Sequence, residues 1–132
     1  MVDFTQLQFV DTVHHEWKKG ISPGIFQKLI WSRKESNSHA QVMLVKMESG
    51  VTSPAHRHPH PQLFYVISGI GQARLDGKIY ELSPRSTVRV LNGELHDFVN
   101  SGSEELVMIE VQFFDIKIDL RKAFGLDPKP VA

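Results

Sequence analysis

The 132-residue chain contains no cysteine, which excludes disulfides and thiolate metal ligands. It carries no net charge, with fifteen Lys and Arg against fifteen Asp and Glu, and no long run of one sign. Nucleic acid and anionic membrane surfaces both select basic patches, so neither is expected as a partner. No apolar run approaches the length of a membrane span. The first residues, Met1-Val2-Asp3-Phe4-Thr5-Gln6, lack a basic segment followed by an apolar one. No signal peptide is therefore expected, and the cytoplasm is the default location. Internal repeats and low-complexity stretches are missing as well.

What the chain does contain is ordinary in bulk: 41% apolar and 23% charged residues, enough for one domain around one core. Apolar segments are short and separated by turn signals. Strands are expected over 25–31, 40–48, 69–75, 78–82, 87–91, 96–100 and 106–114, with a further one starting at Gln62. Asp76-Gly77 is a strong hairpin signal. A peripheral strand is expected over 3–10, a barrel core over about 40–115 and a loose tail over 126–132. Asp119 is placed to cap one helical turn from Leu120 to Phe124, with Gly125 as its stop. Turns every eight to twelve residues define an all-β sandwich or barrel.

Seven histidines are many for this length. His56 and His58 stand two apart, so an extended backbone sends both rings to one face. Gln62 opens the next strand and shares a face with Phe64 and Val66. His96 opens a later strand, sharing its face with Phe98 and Asn100. Three imidazoles and one amide oxygen suit a single borderline divalent ion, Zn or Ni first and Fe or Mn next. Four protein ligands leave room on a five- or six-coordinate ion for a substrate oxygen or water. His60 has inward parity but sits between Pro59 and Pro61, which suits a rim or second-layer role. His14, His15 and His39 read as surface residues. Met43, Val45, Met47, Phe64, Phe98, Val111 and Phe113 are the expected wall, an apolar lining for a small organic anion.

The spacing resembles the cupin superfamily. Gly50, His56, His58 and Gly69 follow its first motif, G-x5-H-x-H-x3-E-x6-G, with Gln62 in place of the glutamate. Gly93, His96 and Asn100 follow its second, G-x5-P-x-G-x2-H-x3-N, with Arg85 and Leu91 where glycine and proline are usual. The resemblance implies a double-stranded β-helix, the cupin jelly-roll barrel, with one metal on His56, His58, Gln62 and His96. The run His-Arg-His-Pro-His-Pro-Gln is similar to that of the pectin-degradation cupins, small proteins that linearise unsaturated uronates. Those proteins carry an Asp-x-Phe-x-x-x-Arg pattern on the last long strand. Aligned on Phe113, it falls on Val111 and Lys117, so the acid is missing and Lys117 becomes the candidate anchor for a substrate carboxylate. Glu110 is expected to face away from the site.

Three functions follow as expectations. The first is a Lewis-acid isomerase, lyase or cyclase acting on a small anion, such as a sugar acid or related metabolite. The second is a metal-dependent dioxygenase. The third is a non-catalytic binding or sensing module. Strand 106–114 is apolar on both faces and the first strand is peripheral, a pattern that predicts a homodimer.

Overall fold

A computed structural model describes residues 9–35, 37, 39–115 and 117–128. Nine strands account for most of it: β1 (Lys18–Lys19), β2 (Ile25–Trp31), β3 (Ala40–Met47), β4 (Gln62–Ser68), β5 (Gly71–Leu75), β6 (Lys78–Leu82), β7 (Thr87–Val90), β8 (His96–Val99) and β9 (Leu106–Phe113). They form a six-stranded sheet, β1-β2-β3-β9-β4-β7, and a three-stranded sheet, β6-β5-β8. Every pairing is antiparallel. One short helix, α1 (Leu120–Ala123), follows; the Asp119 side chain caps it and Gly125 adopts the left-handed backbone beyond it. This is the expected all-β jelly-roll barrel with a C-terminal helical turn. The expected strand over 3–10 falls largely outside the described residues, and Phe9 and Val10 are not in a strand. Residues 129–132 of the expected tail lie outside them too.

The core sits between the sheets and follows from strand alternation. Met43, Val45 and Met47 on β3, Phe64 and Val66 on β4, Val88 and Val90 on β7, and Leu106 and Met108 on β9 point in, against Ala73 and Phe98 of the smaller sheet. The β5–β6 hairpin turns at Asp76 and Gly77, both at positive φ (47° and 84°), the geometry that matches strand twist in a two-residue loop. Gly69 is required by contact: at φ +88°, a Cβ there would stand 2.4 Å from the Glu105 carbonyl oxygen.

The face of β9 turned inward differs from the expected one. Val111 and Phe113 are expected on the inner wall, with Glu110 facing away. Instead Leu106, Met108 and Glu110 are buried, while Val107, Ile109 and Val111 are half-buried on the outside. The register explains this. Met43, Val45 and Met47 pair with Glu110, Met108 and Leu106, and paired residues point to the same face of a sheet. Glu110 therefore faces the barrel interior, and Val111 does not.

Candidate metal centre

The segment bearing His56 and His58 is not a continuous strand. It touches the smaller sheet through two isolated bridges, Thr52 with Val99 and His56 with His96. His56 and His96 exchange backbone hydrogen bonds, His56 N–H to His96 O at 3.2 Å and His96 N–H to His56 O at 3.0 Å. The Gly93 N–H donates to the His58 carbonyl at 2.9 Å. These bonds tie the two histidine-bearing stretches into one cluster. The Asn100 amide anchors the far end of β8, donating to the Met47 and Glu104 carbonyls at 2.9 and 2.8 Å and accepting from the Gly102 N–H at 3.0 Å.

His56, His58 and His96 bring their nearest ring nitrogens within 4.8 Å of one another and could hold a metal ion. Each ring is fixed in the same way. The Nδ1 atoms lie 2.9 Å from Pro54 O, 2.7 Å from His60 O and 2.9 Å from Glu94 O, respectively. A carbonyl oxygen only accepts, so each Nδ1 carries the proton and each Nε2 keeps its lone pair. Such carbonyl clamps orient metal-binding imidazoles. The His96 Nε2 is buried and has no hydrogen-bond partner among the described residues. Burial lowers the proton affinity of His58, and it pushes His96 down to about 4, so both rings are neutral near pH 7. A neutral, partnerless, buried imidazole nitrogen fits a cation.

Gln62 stands beside this cluster with 4% of its surface exposed. Its Nε2 donates to Glu110 Oε1 at 2.9 Å, which turns its Oε1 toward His58 Nε2, also at 2.9 Å. Two lone-pair atoms thus face each other. Glu110 Oε1 also accepts from Gln112 Nε2 at 2.7 Å, and Gln112 Oε1 lies 2.9 Å from His60 Nε2. The His60 ring stacks on His58 with centroids 3.9 Å apart and planes 11° apart. His60 supports His58 twice, through its carbonyl and through its ring. Burial lifts the Glu110 carboxyl above the ordinary carboxylate value, against the opposing pull of the Gln112 and Gln62 amides.

The cluster opens into a cavity of about 160 Å³, walled by Ile25, Met43, Val45, Met47, Phe64, Phe98 and Met108, with Gln27, Ser53, Gln62, Glu110 and Gln112 among its polar groups. Met43, Phe64 and Phe98, expected on the wall, are there. Phe113 and Lys117 are not among the lining residues: Phe113 lies on the outer face of β9, and Lys117 is exposed, its backbone N–H bonded to Asp115 Oδ1. Glu110 and Gln112 were missed. A lone carboxylate within a long apolar strand was the available signal, masked by taking the more uniform face as the inner one.

A double-stranded β-barrel with a histidine triad at its mouth defines the class. Residues 43–112, more than half of the chain, match the cupin domain, and the protein belongs to the cupin family. Among solved structures it is similar to KdgF from Halomonas sp., with a TM-score of 0.67 and 24% identity over 79% of this chain and 91% of that one. It is similar also to the polyketide cyclase RemF from Streptomyces resistomycificus (0.72, 17%, 81% and 79%). An RmlC-like cupin from Shewanella frigidimarina NCIMB 400 scores 0.69 at 19% identity, over 80% of this chain and 89% of that one. At these identities the likeness concerns the fold. A search of curated protein sequences found no match.

Proposed function

We propose that the chain is a metal-dependent isomerase, lyase or cyclase that holds one divalent ion on His56, His58 and His96 through Nε2 and on Gln62 through Oε1. The observation that carries this reading is the 2.9 Å approach of His58 Nε2 to Gln62 Oε1, two lone pairs once the His58 proton sits on Nδ1 against the His60 carbonyl. One cation held between these two atoms would relieve the repulsion. The nitrogen-rich donor set would favour Ni or Zn.

When bound, the ion supplies Lewis-acid polarisation of a substrate oxygen. The chain supplies the rest. Gln62 is neutral, so the donor set leaves the whole positive charge for an anionic oxygen. Glu110, buried beside Gln62 with a raised proton affinity, is the group suited to take a proton from a substrate and return it. Met43, Met47 and Met108 share this cavity, and thioethers are readily oxidised. That favours a reaction without oxygen over a dioxygenase.

The test is a turnover screen of Ni- and Zn-loaded protein under nitrogen. Equal rates with and without air are expected, with Glu110→Gln slowing turnover by at least about a hundredfold while retaining its metal. Activity that requires iron and air contradicts the reading. We further propose a homodimer through the outer face of the larger sheet, where Leu44 on β3, Ile109 on β9 and Leu63 and Tyr65 on β4 form an apolar patch.

A further inference from the structure

We propose that the ligand of this cavity is a compact hydrocarbon body of about benzene size bearing a single oxygen-anion head, such as an aryl carboxylate, phenolate or enolate, and is not a carbohydrate acid. The inference rests on the metal reading above and deepens it.

Three properties of the cavity lead there. The first is size: at about 160 Å³ it holds one six-membered ring. An apolar protein cavity of about 150 Å³ is known to take benzene. The second is where polarity is found. His56, His58, His60, His96, Gln62, Glu110 and Gln112 gather at the metal-binding donors, and Gln27 and Ser53 are the other polar lining residues. Met43, Val45, Met47, Phe64, Phe98 and Met108 form the apolar wall. Phe64 and Phe98 pack with ring centroids 4.5 Å apart, tilted by 52°, and three thioethers complete a soft surface suited to a flat ring.

The third is how few hydrogen-bonding groups remain for a ligand. Gln62 is engaged by Glu110 through Nε2 and by the proposed metal position through Oε1, and Gln112 by Glu110 and His60. Ser53 Oγ accepts from the Phe98 N–H at 2.8 Å, so its own O–H and the Gln27 amide are the uncharged polar groups left to a ligand. No Lys or Arg is among the described residues that line it. A uronate fills the same volume but brings several hydroxyls, and each one buried without a partner weakens binding. A hydrocarbon ring asks for none, and its one anionic oxygen goes to the metal.

Benzoate and galacturonate make a matched pair of probes, since each is a six-membered ring with one carboxylate and they differ in the polarity of the ring. Metal-loaded protein, its ion content measured beforehand, is titrated with each by calorimetry. Benzoate is expected to bind at least about tenfold more tightly. Met43→Gln should weaken benzoate severalfold with metal content unchanged, while Met43→Leu should not. Galacturonate binding as tightly as benzoate overturns the proposal, as does metal-loaded protein that ignores benzoate. Failure of the underlying metal reading would be seen separately, as protein that retains no stoichiometric ion before any probe is added.

Discussion

Gln62 and Glu110 explain one another. A glutamate at position 62, usual in the motif this chain resembles, would set a second carboxylate about where the Gln62 amide now donates to Glu110 at 2.9 Å. Two buried carboxylates at that distance cannot both ionise. Gln62→Glu is therefore expected to destabilise metal-free protein by about 2–3 kcal/mol at pH 7, and Gln62→Glu with Glu110→Gln to recover most of that loss. Denaturant unfolding of both single variants and the double variant measures the coupling, and strict additivity would contradict it. The histidines predict a pH dependence. The folded-state proton affinities of His58 and His96 lie below the free value of 6.5, that of His96 at about 4. Between those limits the unfolded chain binds more protons, so metal-free protein loses stability as pH falls from 6.5 toward 4. Glu110 is shifted the other way and opposes this trend, so the Glu110→Gln background isolates the histidine contribution. Stability in that background that stays flat or rises as the pH falls would contradict the assignment.

At the scale of elements, turn chemistry was legible and the facing of one strand was not. Asp76-Gly77, the Asp119 cap and the ends of β2 and β6 could be read from residues that act locally, through backbone conformation and hydrogen bonds to near neighbours. The parity of β9 depends on its pairing with β3, a long-range fact that a strand apolar on both faces does not record. Misreading it put Val111 where Glu110 stands and hid the carboxylate and Gln112 from the candidate site. The two departures from the second motif have different consequences. Leu91 donates its N–H to Glu94 Oε1 at 3.1 Å, a bond that proline would remove. Arg85 stands at φ +78°, in the left-handed region where a side chain is strained. Arg85→Gly is accordingly expected to stabilise the fold by about 1 kcal/mol by thermal melting, and a loss of stability would contradict that account.

For the whole molecule, the barrel was legible because two motifs in register fix which strands come together, and the histidine cluster came with it. Association was argued from pattern, and the exterior now supplies residues for it. The centre of the larger sheet's outer face bears Leu63, Ile109 and Tyr65, the last 41% exposed. Ile109→Lys should turn a dimer into a monomer by light scattering without changing metal content. A monomeric wild type would contradict the homodimer. The central claim is the ion on the three imidazoles and Gln62, and elemental analysis after reconstitution and desalting tests it most directly. One divalent ion per chain is expected in the wild type, with almost none in His58→Ala at an unchanged circular dichroism spectrum. A correctly folded His58→Ala that keeps its full metal content would contradict the account.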